Sequence, residues 1–296
     1  MRVLILGAGG QLGRALGPAL RARGHDPIEL MRAAADLTVP DQVTAALDRH
    51  QPSVVVNAAA YTAVDRAEQE AGLAFAVNAY SLRPLVQACA TQGLPLCHIS
   101  TDFVFGGPPP TPPRPWRETD VPEPRGVYAR SKRAGELECL HGGGHGYLVR
   151  TAWLYGERGP NFVLTMARLA RRRQRLRVVA DQVGTPTWTG HLAPAVAELI
   201  ETGAFGVYHL TNQGQTTWHG FAQAVLAGLH LDVPVDPIST AEFGAPAPRP
   251  AYSVLDNAAW RLLGRPPLPP WEAGLAAYLD AERAGAVADA LRAGDP

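Results

Sequence analysis

Four apolar residues, Val3-Leu4-Ile5-Leu6, run straight into Gly7-Ala8-Gly9-Gly10-Gln11-Leu12-Gly13, and the residues from Gln11 to Arg23 read as an amphipathic helix. No other feature narrows the fold as much, because glycines at positions 7, 10 and 13 between a strand and a helix each meet a separate physical need. Gly7 permits the tight turn, Gly10 lets backbone approach a pyrophosphate, and Gly13 lets helix pack closely on strand. The helix N-terminus then offers its unpaired N–H groups to an anion. Standing alone such glycines would suit a mere turn. Between strand and helix they make Gly7, Gly10, Gln11 and Leu12 candidates for binding a dinucleotide.

The rhythm continues. Apolar runs at Ile28 to Met31, Ser53 to Asn57, Leu96 to Ser100 and Tyr147 to Arg150 alternate with helical stretches at Asp41 to His50, Leu73 to Gln92 and Tyr128 to Leu140. Short buried strands separated by helices specify an α/β fold with a doubly wound parallel, Rossmann-like sheet. After Arg150 the pattern loosens into an irregular connection over Trp153 to Asn161, helices at Phe162 to Arg173, His191 to Glu201 and Thr217 to Leu229, and a strand at Arg177 to Ala180. One alanine-rich closing helix is expected over Trp271 to Leu291. The expected organisation is a cofactor domain over 1–155 with 185–212 returning to it, and a smaller, discontinuous α/β substrate lobe from 156–184 and 213–296. Pro108 to Pro115 reads as a stiff extended surface loop, with an SH3-type ligand as the alternative, and Ala245 to Pro250 reads as a linker.

Composition excludes several classes. With 27 basic against 27 acidic residues the chain has no global attraction to nucleic acid or anionic lipid, so neither is expected as a partner. Cys89, Cys97 and Cys139 lack any paired spacing, so neither a disulfide framework nor a zinc site is suggested. No apolar stretch approaches membrane-spanning length, and a reducing cytoplasm fits best.

One residue count points to chemistry. Lys132 is the only lysine, against 26 arginines, and it stands four residues after Tyr128. A drift this strong towards arginine removes lysines that serve only as solvated charges. A compact ammonium that can be desolvated beside a phenol is a different matter. On a helix the two side chains share a face, so Lys132 is placed to lower the pKa of Tyr128 and assist proton exchange. Ser100-Thr101-Asp102 closes the fourth strand at the sheet's carboxyl edge, where a hydroxyl beside Tyr128 would polarise a carbonyl; the same residues also suit a turn cap. The second strand ends at Met31-Arg32 without the acid that prefers NAD, which leaves Arg32 to meet a 2′-phosphate and favours NADPH over NADH. Asp36 and Leu37 would edge the adenine, and Ala58, Ala59 and Ala60 are small where the cofactor would cross the sheet.

These residues sit in longer stretches: Gly10 to Gly13, Asn57-Ala58-Ala59-Ala60-Tyr61-Thr62-Ala63-Val64-Asp65, Asn78, Ser100 to Phe105, Tyr128 to Lys132 with Gly135-Glu136, Arg150 to Trp153, Asn161-Phe162, Asp181 to Thr187 and Arg249-Pro250. In them the chain resembles the extended short-chain dehydrogenase/reductases and, within these, the dTDP-4-dehydrorhamnose reductase family, over nearly its whole length. The resemblance implies the final step of dTDP-L-rhamnose synthesis, hydride transfer from NAD(P)H to the C4 ketone of dTDP-4-dehydro-L-rhamnose. It implies that Thr101, Tyr128 and Lys132 are catalytic, with Tyr128 giving the proton, Lys132 lowering its pKa and holding the nicotinamide ribose, and Thr101 bonding the carbonyl oxygen. Thr62, Val64, Asp102 and Trp153 match sugar-pocket positions, with the core as the alternative for Trp153. Asn161 and Arg249 are candidates for the nucleotide and its diphosphate, and Asn78 for a water or backbone link near the site. Some family members are thought to dimerise through magnesium held by acidic residues, one just after the glycine motif; Arg14-Ala15 stands here instead, so no metal is expected and the chain is a monomer or homodimer. Related dehydratases need a second acid after the hydroxyl and its neighbouring acid, where this chain has Phe103. Two rivals stay open: a reductase of another 4-keto-6-deoxy sugar, and a non-catalytic NADP-binding regulatory subunit.

Overall fold

A computed structural model describes residues 1–157, 159–283 and 285–292. The first half runs β1 (Arg2–Leu6), α1 (Gln11–Ala22), β2 (Asp26–Leu30), α2 (Pro40–His50), β3 (Val54–Asn57), α3 (Val64–Ala67), α4 (Ala71–Phe75), a π turn (Ala76–Tyr80), α5 (Leu82–Thr91), β4 (Leu96–Thr101), α6 (Gly126–His141) and β5 (Gly146–Thr151). The second half runs β6 (Leu154–Tyr155), α7 (Phe162–Arg172), β7 (Leu176–Val179), β8 (Val183–Gly184), β9 (Thr187–Trp188), α8 (Thr189–Leu199), β10 (Gly206–His209), β11 (Thr216–Thr217), α9 (Trp218–Gly228), β12 (Val235–Ile238), α10 (Thr240–Phe243), α11 (Ala258–Leu262), α12 (Trp271–Ala281) and α13 (Ala286–Arg292).

Six strands form one parallel sheet in the order β10-β5-β4-β3-β1-β2. Successive side chains of a strand point to opposite faces, which sorts this chain's apolar residues into two cores. Val3, Ile5, Val54, Val56 and Val149 enter one core with α1 and α8; Leu4, Leu6, Val55 and Leu96 enter the other with α2 and α5. Both faces are covered, which is why these strands read as continuous apolar runs. From β1 the chain moves to β2 on one side and to β3 on the other, so the order reverses beside β1 and opens a crevice at the strands' carboxyl ends. Trp260 and Leu268 also pack into the first core, so the segment around α11 belongs with the sheet and not with the second lobe, where the sequence reading put it.

A separate core forms around Tyr155, Met166, Phe221, Trp271 and Tyr278, gathered from β6, α7, α9 and α12. The expected single closing helix is two. α12 ends at Ala281, and the Glu282 carboxylate accepts from the Ala286 N–H at 2.8 Å, starting a new helix that lies back against α7. The expected straight helix over Leu73 to Gln92 is interrupted by the π turn, whose carbonyl at Asn78 lies where a methyl on Gly135 would have to sit. The extra residue per turn therefore lets α6 approach closely. Ala245 to Pro250 is no free linker: the Ala247 N–H and Arg249 both bind Asp65.

Candidate active site

The dinucleotide candidates lie along one edge of the sheet, in strand order. Arg32 and Asp36 follow β2, the glycine loop follows β1, Ala58 to Ala60 follow β3, and Thr101 ends β4. At roughly 4.8 Å per strand, four neighbouring strands span about 15 Å, a length suited to an extended dinucleotide. The loop is built for such a passage. Gly7 has φ +77°, and a Cβ there would come within 2.6 Å of Ala59 backbone. Gly10 is different: a methyl there meets nothing nearer than the Gly7 carbonyl oxygen at 3.4 Å, so protein packing alone does not demand a glycine. α1 has no side-chain cap, leaving its first N–H groups open to an anion. These features fit a pyrophosphate. Gln11 donates to the Pro160 carbonyl at 2.9 Å, which draws the loop after β6 over the glycine turn. Arg32 is largely exposed and pairs with Asp36 at 2.8 Å. Leu37 is 4% exposed and packs in the core under the sheet, so its side chain offers little surface to an adenine, contrary to expectation.

At the end of β4 the three catalytic candidates converge. Thr101 lies beside the Tyr128 phenol, and Phe103 meets that ring edge-on at 5.5 Å. Burial pushes the phenol up to about 12, against a downward pull from Thr101. Lys132 is 2% exposed and its Nζ donates to the Ile99 carbonyl at 2.8 Å, with His98 Nε2 at 3.3 Å. Burial lowers its ammonium to about 8, against the raising effect of Glu136. In the free protein, then, Lys132 is turned to β4 and the phenol is shifted upward, not downward as the helical spacing had suggested. The reason is desolvation, which outweighs the pull of Glu136 at Lys132 and that of the Thr101 hydroxyl at Tyr128, where the Asp102 charge adds to the upward push.

Asp102 is 1% exposed, and burial pushes its carboxyl up to about 7. Thr101 Oγ1 donates to its Oδ1 at 3.1 Å, whereas Oδ2 has no partner in hydrogen-bonding geometry. The Thr151 hydroxyl, level with Thr101 on β5, is likewise buried without a partner. The Ser253 hydroxyl also lies beside the Asp102 carboxyl, so it is the Thr151 hydroxyl and the free capacity of Oδ2 that a polar ligand would satisfy. Ser100 is otherwise engaged, donating to Glu136 at 2.7 Å, and Glu136 in turn takes a bidentate pair from buried Arg150 at 2.8 and 2.9 Å. This network fixes α6 to β4 and β5. Against the upward push of burial, those hydrogen bonds hold Glu136 below the usual carboxylate range. Asn78, in the π turn, accepts from the Tyr61 N–H at 2.8 Å, donates to the Tyr61 carbonyl at 3.0 Å and donates to Ser131 at 3.0 Å, tying the loop after β3 to α6.

A family model described as the RmlD substrate binding domain matches residues 1–284. The chain belongs to that family. It is 46% identical over 283 residues to a dTDP-4-dehydrorhamnose reductase of Streptomyces griseus, covering 93% of this chain and 91% of the relative. It is 40% identical over 283 residues to a dTDP-4-keto-6-deoxy-D-glucose reductase of Streptomyces niveus, covering 93% and 95%. A crystal structure of dTDP-4-dehydrorhamnose reductase from Bacillus anthracis in complex with NADP superposes with a TM-score of 0.91 at 39% identity, covering 95% of this chain and 99% of that one.

The remaining residues of this RmlD-family site divide. Thr62 is exposed, on the loop that leads from β3 into α3, and Val64, the first residue of α3, is half-buried. Trp153 stands where φ is +44°, an outlier for so bulky a residue, and its indole stacks on Trp218 at 3.6 Å and 5°. Gly184 lies behind it, and any side chain there would run into the ring. Trp153 is thus neither simple core nor a loose wall but a plate clamped on one face. Trp218 was not singled out from the sequence, where it looks like the first residue of an ordinary amphipathic helix. Two candidates are otherwise employed. Asn161 caps α7, accepting from the Leu164 N–H at 3.0 Å and donating to the Gly156 carbonyl at 2.9 Å, so both ends of its amide serve the backbone. Arg249 is paired with Asp65 at 2.9 Å and donates to the Ala247 carbonyl at 3.0 Å.

Proposed function

We propose that this chain is an NADPH-dependent reductase of dTDP-4-dehydro-L-rhamnose at its C4 ketone, giving dTDP-L-rhamnose. The observation that carries the reading is the convergence of Thr101, Tyr128 and Lys132 at the end of β4, two strands along the sheet from a glycine loop open to a pyrophosphate. The cofactor supplies the hydride when bound. Gly7, Gly10, Gln11, Leu12 and Ala58 to Ala60 would hold it, with Arg32 towards the 2′-phosphate, which accords with the NADP bound in the Bacillus anthracis structure.

Tyr128 keeps its proton through the neutral range and gives it to the oxygen of the reduced ketone. Thr101 bonds the same oxygen. Its proton points to Asp102 in the free protein, so the hydroxyl must turn, and protonation of Asp102 makes that turn easier. Lys132 lies one helical turn below Tyr128, within the buried floor, ready to meet the nicotinamide ribose. Trp153 would form one wall for the sugar, with Thr62, Val64 and Asp102 around it. Among the described residues no helix is long and apolar enough to cross a membrane, and we place the enzyme in the cytoplasm.

The relative from Streptomyces niveus supports one second reading, reduction of a dTDP-4-keto-6-deoxy sugar of different configuration. Product analysis separates the two. Purified protein is given NADPH with dTDP-4-dehydro-L-rhamnose or with dTDP-4-keto-6-deoxy-D-glucose, and the products are resolved by chromatography and NMR. Turnover with the first sugar, yielding dTDP-L-rhamnose, supports the rhamnose reading; turnover with the second alone replaces it.

A further inference from the structure

Behind Lys132 lies a chain of buried polar groups with no part in the chemistry above. Asn57 on β3 and His98 on β4 are register partners across the parallel ladder, 0% and 1% exposed, and Lys132 from α6 comes down on them. The Ala59 N–H donates to Asn57 Oδ1 at 3.1 Å, which fixes the amide orientation. Asn57 Nδ2 therefore faces His98 Nδ1, at 3.1 Å, as a donor. A neutral imidazole that accepts at Nδ1 carries its hydrogen at Nε2. That N–H points at Lys132 Nζ, 3.3 Å away. An ammonium has no lone pair to receive it, whereas an amine does: its lone pair takes the His98 N–H, one of its own hydrogens goes to the Ile99 carbonyl, and one stays free.

We propose that His98, oriented by Asn57, is a positioning residue that turns an N–H towards Lys132 and so favours the neutral amine of Lys132 in the ligand-free protein. The charged and titratable groups that act on Lys132 are His98 from β4 and, from its own helix, Glu136 and Cys139. Glu136 favours the ammonium, yet its charge is engaged by Arg150 and Arg133. Burial pushes the Cys139 thiol up to about 12, which leaves it uncharged. Burial, with the lysine alongside, keeps His98 well below its ordinary range and hence neutral. The inference rests on the proposed reductase only for its consequence, that the alkaline limb of kcat/KM follows Lys132.

The sequence offers an unusual handle, since a lysine label reports on Lys132 alone. The ligand-free protein, labelled with 15N-lysine and 15N-histidine, is titrated by NMR, and the His98 signals are assigned by their loss in His98→Gln. We expect Lys132 to titrate below about 9, against an ordinary lysine near 10.4, and His98 to carry its hydrogen on Nε2. Titration of Lys132 at or above about 9, or a hydrogen on Nδ1, overturns the proposal. In His98→Gln the new amide oxygen can accept from an ammonium, so the Lys132 titration should rise by about one unit or more, and the alkaline limb with it. Asn57→Asp should act in the same direction, because a carboxylate would draw the imidazole hydrogen to Nδ1. An unchanged Lys132 titration in both variants contradicts the role, and if neither folds the two wild-type observations decide. Should the protein turn over no sugar at all, the reductase reading fails while the NMR result stands on its own.

Discussion

The sheet and the aromatic lobe are built by different means. In the sheet, alternate residues of each strand enter one of two cores, and the catalytic candidates Thr101, Tyr128 and Lys132 sit on long regular elements, β4 and α6. In the lobe, paired strands are as short as two residues, and Trp153, Trp218, Phe162 and Phe221 hold one another by ring contacts. Trp153 is even held in left-handed backbone. The contrast teaches that groups which must meet at fixed distance are set on rigid secondary structure, while the surface proposed to select the sugar is left to irregular backbone.

If that contrast is right, the largest stability loss lies behind the catalytic helix. Glu136→Ala strands the Arg150 guanidinium, which is 2% exposed, and should cost about 3–5 kcal/mol, read as a lower denaturant midpoint. Removing the clamp behind Trp153 should act on the lobe alone. Trp218→Leu loses a stacked aromatic pair of about 0.5–1.5 kcal/mol, so KM for the sugar should rise up to about tenfold with kcat little changed. A fall in kcat with KM unmoved would put Trp218 on the wrong side of the comparison.

A pH profile sharpens the sheet side. Asp102 is protonated below about 7 and a carboxylate above it, and the carboxylate competes for the Thr101 proton. kcat/KM should therefore show a shallow few-fold step down as pH rises through about 7, ahead of the steeper alkaline limb that follows Lys132, and Asp102→Asn should flatten that step alone. The linkage sign agrees: because the folded value lies above the ordinary aspartate range, burial of Asp102 costs stability progressively as pH rises from about 4 towards 7, so the same variant should gain stability more at pH 8 than at pH 5. The smallest effect is expected at the tie between lobe and sheet. Asp65→Asn weakens a pair whose carboxylate is 44% exposed, worth about 0.2–1 kcal/mol, and should change KM less than about fivefold.

The two regions also differed in how legible they were. The sheet could be read because burial on both faces writes continuous apolar runs, and the lone lysine marked its own site. His98 carried no such mark: it is a histidine among strand residues, and only the register with Asn57 gives it meaning. The π turn was invisible because Ala71 to Thr91 has the same helical composition whether the ladder closes on the fourth or the fifth residue. Leu37 was read as a ligand contact from its place after the second strand, and Asn161 and Arg249 from the family resemblance; packing, capping and an ion pair engage their side chains in the structure, which no local pattern announces. The break after α12 did leave a trace, Gly285, within an otherwise helical run.

The central claim is that Tyr128 gives the proton while the sheet holds Thr101 and Lys132 around it. The direct measurement is NADPH oxidation with dTDP-4-dehydro-L-rhamnose, followed by absorbance in single turnovers for the native protein and for Tyr128→Phe. We predict a loss in the variant of about 10²–10⁴-fold in the rate of hydride transfer, with NADPH affinity retained. A variant that reduces the sugar within about threefold of the native rate would contradict the account.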